Sequence, residues 1–138
     1  MGRKKKSITV LSVLVMIGLV FCFFFFQTPS LDEGKIDTLT IATLPAPPKQ
    51  KTITQKEDIQ KFVTLFNSLQ LSPTFGILRP AGTTCWIKTF GETYTHEIII
   101  TGNILQFDKR TYYVNRDIFS SIQELYQSFE YPETTKTN

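Results

Sequence analysis

The chain has 138 residues, of which 41% are hydrophobic and 20% are charged, and its formal net charge is +3. Four of the fifteen basic residues precede Ser7, which leaves eleven basic against twelve acidic residues in the rest of the chain. This length allows one small domain beside an N-terminal apolar run, and this charge distribution argues against a nucleic-acid-binding surface.

The N-terminal part of the sequence is dominated by an uncharged run of nineteen residues from Ile8 to Phe26. As a helix this run would span about 28 Å, close to the ~30 Å hydrocarbon core of a bilayer. The basic residues at positions 3–6 place the N-terminus in the cytoplasm by the positive-inside rule. The sequence therefore predicts a cytoplasmic basic tag over residues 1–7 and a transmembrane signal-anchor over residues 8–26. We expect a single-pass protein of the cell membrane whose C-terminal domain lies outside.

Three other fates of this N-terminus compete with an uncleaved anchor. A cleaved signal peptide has a shorter apolar core and small residues at its cleavage site, whereas this run ends in four phenylalanines. A bacterial lipoprotein needs a small residue before its lipidated cysteine, and Phe21 precedes Cys22. Myristoylation needs Ser or Thr where Lys6 stands. The uncleaved anchor is the leading prediction, with the cleaved signal and the lipoprotein as alternatives.

The cysteines and the missing glycosylation motif bear on the compartment. Cys22 lies in the predicted anchor and Cys85 in the domain, so the two cannot pair. An exported eukaryotic module usually carries internal disulfides, and the chain also has no N-x-[ST] sequence. Both observations favour a bacterial surface.

The elements that follow the anchor begin with a short polar link over residues 27–35. Alternating β-branched residues predict a strand over 36–44 and a return strand over 51–54. Thr54 and Glu57 match a capping box, which opens an amphipathic helix predicted to end at Leu69.

A meander of short strands occupies the second half of the domain. A loop over residues 72–83 leads to strands predicted at 84–90, 94–101, 104–107 and 111–115, whose short connections imply antiparallel pairing. A second amphipathic helix follows, capped by Asn115 or Asp117 and ended by Pro132.

The predicted architecture is α+β. It has an N-terminal transmembrane helix followed by a small two-layer sandwich, an antiparallel sheet with two helices in the order β(β)-α-ββββ-α. The extracytoplasmic domain is predicted over residues 36–131 and a disordered tail over 132–138.

Cys85 and His96 are the candidate nucleophile and base for thiol chemistry. If Phe90 pairs with Tyr94, paired positions in this hairpin sum to 184, which places Cys85 and His96 on opposite faces of the sheet. The sequence also shows no metal-ligand spacing and no glycine-rich phosphate loop. It therefore predicts a protein that is not an enzyme, with no catalytic residue, no cofactor and no bound metal.

The same register predicts which face of the sheet meets solvent. It places Trp86 and Phe90 in the core, and it places Ile87 and Ile99 on the outer face. An apolar patch on an outer face can bind a partner, so Ile87 and Ile99 are the candidate partner surface. The loop over residues 72–83 is the alternative.

Two sets of short segments carry a resemblance that covers roughly residues 36–130. The first set is KTIT at 51–54, EDI at 57–59 and FNSL at 66–69; the second is TYYV at 111–114, DI at 117–118 and LY at 125–126. In these the domain resembles uncharacterised small surface domains of Gram-positive bacteria, including YhfM-like lipoproteins. The resemblance implies a membrane-anchored surface domain and transfers no activity to any residue. Those proteins are commonly lipid-anchored, and this chain departs from them in lacking a usable lipidation motif.

The sequence thus favours a non-catalytic binding or envelope-associated module. Its predicted partners are the membrane, through a single helix, and an unknown protein or cell-envelope component, with no nucleic acid. The alternative is an immunity-type or inhibitor protein that acts at the membrane surface.

Overall fold

The computed structural model of the chain describes residues 2–25, 27–43, 48–74 and 84–135. The helices are α1 (Gly2–Phe25), α2 (Lys56–Asn67) and α3 (Ile118–Ser128), with a 3-10 turn at Glu33–Lys35. The strands are β1 (Thr38–Thr43), β2 (Lys49–Ile53), β3 (Leu71–Pro73), β4 (Thr84–Phe90), β5 (His96–Thr101), β6 (Ile104–Phe107), β7 (Arg110–Val114) and β8 (Thr134–Thr135). The predicted α+β class is confirmed.

The eight strands form one antiparallel sheet in the order β3-β7-β6-β5-β4-β1-β2-β8. The meander from β4 to β7 has the predicted antiparallel neighbours. Two strands were not predicted. β3 lies at the start of the predicted loop and pairs with β7, and β8 lies in the predicted disordered tail and pairs with β2. Residues 75–83 of that loop and 136–138 of that tail lie outside the described residues.

Both α2 and α3 pack on the same face of the sheet and close a single core. Their apolar stripes bury Ile59, Phe62 and Phe66 of α2 and Ile118 and Ile122 of α3. The strands contribute fully buried residues to the same cluster: Leu39, Ile41, Ile53, Ile87, Ile98, Ile100 and Leu105. This two-layer packing is the predicted one, since each helix has one apolar stripe to bury.

The register of the β4–β5 hairpin differs from the predicted one by a single residue. Trp86 pairs with Ile99 and Thr89 pairs with His96, so paired positions sum to 185. The connection is also longer than predicted, because β4 ends at Phe90 and β5 begins at His96. Gly91 lies within it so close to the carbonyl of Lys35 that an added Cβ would clash with this oxygen.

The first turn of α2 is capped differently from the prediction. Its N-cap is Gln55, whose own side chain forms no capping hydrogen bond, so the Thr54 capping box is wrong. The hydroxyl of Tyr131 contacts this helix start instead: it accepts a hydrogen bond from the backbone N–H of Gln55 and donates one to Asp58 Oδ2, each at 3.1 Å. A residue remote in sequence therefore bridges the N-cap residue and the first turn of α2. At α3 the N-cap is Asp117, which is one of the two residues predicted for this position.

The segment predicted as a polar link over residues 27–35 packs onto the domain. Leu31 is only 4% exposed and belongs to the core cluster. Asn67 Oδ1 accepts a hydrogen bond from the Leu31 backbone N–H, and Asn67 Nδ2 donates one to the Leu31 carbonyl. The folded domain thus begins earlier than residue 36.

Helix α1 precedes this segment. Its large apolar side chains between Val10 and Phe24 are 51% to 68% exposed. Measured over the described residues, none of the helices is long and apolar enough to cross a membrane.

Candidate partner-binding face of the sheet

The face of the sheet opposite α2 and α3, here called the outer face, carries an apolar row at its centre. Ala42 of β1 pairs with Trp86, Trp86 pairs with Ile99 of β5, and Ile99 pairs with Gln106 of β6. Because paired residues in a sheet point to the same side, these side chains lie next to each other. Trp86 and Ile99 are both half-buried and form the centre of the row.

A second row on the outer face runs beside the first. It contains Thr84, Thr101, Ile104 and Tyr113, which are paired in turn across β4, β5, β6 and β7. The hydroxyls of Thr84 and Thr101 are hydrogen bonded at 3.1 Å. Tyr113 is 45% exposed at the far end of the row. The two rows together give a patch of Trp86, Ile99, Ile104 and Tyr113 that crosses four strands.

Charged and hydroxyl side chains border this patch. Lys88 pairs with Glu97 across β4 and β5, and their side chains form an exposed ion pair at 3.3 Å. Thr40 of β1 lies on the other side of Lys88. An apolar centre with a polar rim is the usual composition of a protein–protein interface, so the outer face is the best candidate binding surface among the described residues.

The two residues predicted for the partner surface have different positions. Ile99 lies on the outer face, as predicted. Ile87 is fully buried in the core between Ile41 and Ile98, so its placement on a solvent-facing surface is wrong. The physical reason is the register: a shift of one residue moves every side chain of a strand to the other face.

Trp86 takes the place on the outer face that the prediction assigned to Ile87. A signal for this was present in β4 itself, where Lys88 shares a face with Trp86 and Phe90. A lysine is rarely buried without a partner, and Lys88 therefore marks this face as the solvent side.

Cys85 and His96 do not form a catalytic pair. Both lie on the core face, which corrects the prediction of opposite faces, but His96 pairs with Thr89, four residues along β4 from Cys85. That offset corresponds to about 13 Å, far beyond hydrogen-bond reach. Burial also raises the pKa of the Cys85 thiol to about 12, which keeps it protonated near neutral pH.

The imidazole of His96 instead takes part in a local cluster. Its Nδ1 contacts Asp108 Oδ2, and its ring packs against Tyr94 and Phe107 with centroid distances of 4.4 and 4.6 Å. Asp108 Oδ1 accepts a hydrogen bond from the Glu97 backbone N–H at 2.9 Å. The cluster ties the β6–β7 turn to β5.

Metal ligation has no support in the described part of the chain, where no group of three or more His, Cys, Asp or Glu side chains is close enough to hold an ion. Comparison of the chain with protein-family models, with curated proteins and with solved structures finds no match.

Proposed function

We propose that this protein is a single-pass membrane-anchored module whose α+β domain lies outside the cell membrane and binds a protein or envelope component without catalysis. The observation that carries the proposal is the exposed apolar surface of α1. Its large apolar side chains are exposed, at 51% to 68%, from Val10 to Phe24. A helix that is apolar all round requires an apolar environment, and a bilayer supplies one.

The length and direction of the proposed anchor come from α1 and the sequence together. The backbone is helical from Gly2 to Phe25, and the uncharged run extends from Ile8 to Phe26. Residues 9–24 by themselves are too few to cross a bilayer, so the proposed span also needs Ile8, Phe25 and Phe26 of the uncharged run in the sequence. The basic residues at positions 3–6 favour a cytoplasmic N-terminus.

Binding is assigned to the outer face, centred on Trp86 and Ile99. Interface energy concentrates in a few desolvated aromatic and aliphatic anchors, and these two adjacent, half-buried side chains have that chemistry. The ion pair of Lys88 and Glu97 would lie at the rim, where charged pairs contribute little to affinity.

Protease treatment of intact cells tests the anchor. Digestion of the domain from outside, with the protein retained in the membrane after alkaline extraction, supports the proposed topology. A domain protected from external protease contradicts the orientation, and a mature chain that begins after Phe26 contradicts the uncleaved anchor.

Crosslinking and recovery of the full chain from membranes tests the binding face. We expect Ile99→Lys to reduce recovery of the crosslinked partner at least tenfold, since a charge at the centre of the patch must be desolvated on binding. Thr52→Lys is the matched control, because Thr52 is exposed on the outer face at β2, away from the patch. Equal recovery with both variants would refute this binding surface.

A further inference from the structure

A groove lies where the chain leaves α1 and meets the domain. It has a volume of about 320 Å³, and residues 27–29 line one side of it. Phe107, Asp108, Arg110 and Tyr112 of β6, β7 and their connecting turn line the other side. The segment that follows α1 and the tip of the β6–β7 hairpin thus share one surface depression, here called the neck groove.

The hairpin tip beside the neck groove presents two cations in a fixed backbone geometry. Asp108 and Lys109 have φ values of 45° and 73°, which characterise a two-residue hairpin turn that matches the twist of its strands. The bond from the Glu97 N–H to Asp108 Oδ1 holds this turn against β5. Lys109 and Arg110 are both exposed at the tip.

The charges around the neck groove are unequally satisfied. The carboxylate of Asp108 is occupied by the Glu97 N–H and by His96 Nδ1. Among the described residues, neither Lys109 nor Arg110 forms an ion pair. Arg110, which lines the groove, and Lys109, its neighbour at the exposed tip, are therefore available for an anion from outside the domain, beside a carboxylate that already has partners.

The proposed anchor determines what lies next to this groove. Residues 27–29 follow the apolar run directly, so in a spanning orientation they emerge at the depth of the lipid headgroups. The two hydrogen bonds between Asn67 and Leu31 keep the domain close to that exit point. Residues that share the neck groove with 27–29 must then lie at headgroup depth as well.

We infer that the neck groove and the β6–β7 tip bind the phosphate headgroups of anionic lipids in the membrane that holds α1. This inference rests on the proposed function, because the anchor places the groove at the membrane surface. Each lysine or arginine at an anionic surface strengthens association roughly fivefold, so Lys109 and Arg110 together supply roughly 25-fold. The contact would hold the domain in one orientation on the membrane.

Amine labelling of the full chain in nanodiscs tests this inference. The chain is reconstituted into nanodiscs of neutral phosphatidylcholine, or of phosphatidylcholine with about 30% phosphatidylglycerol, a content chosen to give the negative surface potential that attracts basic residues. An uncharged, water-soluble acylating reagent is added, and modification is measured by mass spectrometry at Lys109 and at Lys49. Lys49 is the internal control, since it lies in β2, four strands away from β6 in the sheet.

We expect labelling of Lys109 to be slowed roughly fivefold in the anionic nanodiscs, with Lys49 unchanged. Salt at about 0.5 M should remove the protection by screening, and Arg110→Gln should reduce it. Inorganic phosphate added to neutral nanodiscs should not protect Lys109; if it does so as well as the anionic lipid, the ligand is a free anion and the lipid inference is overturned.

The two proposals fail in different ways in this experiment. A chain that does not co-elute with the nanodiscs overturns the anchor itself. A chain that co-elutes, but whose Lys109 is labelled equally in neutral and anionic nanodiscs, overturns the headgroup contact and leaves the anchor standing.

Discussion

Asn67 and Leu31 are joined by two hydrogen bonds, each 2.9 Å long, between one carboxamide and both polar groups of one backbone residue. Asn67 is the last residue of α2, and Leu31 belongs to the segment that leads from α1 into the domain. The end of a helix thus holds the entry of the chain, while the side chain of Leu31 is buried in the core.

We expect Asn67→Ala to lower the free energy of unfolding by roughly 1–3 kcal/mol, because it leaves two partly buried backbone groups of Leu31 without partners. Urea unfolding of the full chain in mild detergent measures this loss. Asn115→Ala is the control, since the exposed hydrogen bond from Asn115 to Gln70 should contribute no more than about 0.5 kcal/mol. Equal midpoints for the two variants would show that the contact does not stabilise the domain.

The hydrogen bonds of Tyr131 at the start of α2 predict that Tyr131→Phe destabilises the domain more than Thr54→Ala does. A capping box at Thr54 would predict the reverse. Tyr131→Phe removes the hydroxyl that accepts from the Gln55 N–H and donates to Asp58, and should cost about 1 kcal/mol. Thr54→Ala should be nearly neutral, since Thr54 is not the N-cap. The same urea titration compares them, and a larger loss for Thr54→Ala would contradict the assigned cap.

Lys51 of β2 is 8% exposed, and its side chain reaches the C-terminal end of α3. Its Nζ donates to the carbonyls of Tyr126 and Phe129, at 2.9 and 2.7 Å. Lys51→Met should cost roughly 1–3 kcal/mol, because these buried carbonyls lose their donor. Lys49→Met on the same strand removes only an exposed ion pair with Glu133 and should cost less than about 1 kcal/mol. Thermal unfolding of both variants separates a buried contact from a surface one.

The N-cap of α3, Asp117, predicts that the domain loses part of its folding stability at low pH. Hydrogen bonds from the side chain and backbone of Ser120 lower the pKa of the Asp117 carboxyl. A carboxyl whose pKa is lower in the folded state stabilises the protein above its unfolded pKa of about 4, and that contribution is lost as the pH falls through the folded value. Asp117→Asn keeps a capping side chain but not the titration. The difference in urea midpoint between wild type and this variant should therefore shrink from pH 7 to pH 3, and a constant difference would contradict it.

The burial of Cys85 predicts that its thiol is unreactive in the folded domain. With its pKa raised to about 12, only about one molecule in ten thousand carries the thiolate at pH 8. In a Cys22→Ser variant, which leaves Cys85 as the single cysteine, iodoacetamide should react at least about a hundredfold faster after unfolding in urea than before it. Rapid alkylation of the folded variant would show that Cys85 is accessible and would reopen the question of thiol chemistry.

Local patterns in the sequence determined the two packed helices and the four-strand meander. The apolar stripes of α2 and α3 repeat at helical spacing, and short turns separate β4, β5, β6 and β7, so both features are encoded by near neighbours. Asp117 could be proposed as a cap for the same reason. The apolar run in α1 is a feature of composition alone.

Tertiary structure decided the register of the β4–β5 hairpin. The partner of Trp86 depends on a connection whose glycine, Gly91, packs against the carbonyl of Lys35, and no local pattern contains that contact. One residue of register then exchanged Ile87 for Trp86 on the outer face.

The other differences between the predictions and the structure also come from contacts between segments that are far apart in sequence. Strands β3 and β8 are three and two residues long and exist through pairing with β7 and β2. Tyr131 is hydrogen bonded to Gln55, the N-cap residue of α2. Asn67 is hydrogen bonded to Leu31, which lies 36 residues earlier in the sequence. A sequence specifies periodicity through neighbouring residues, whereas register, edge pairing and remote caps depend on which surfaces meet when the core closes.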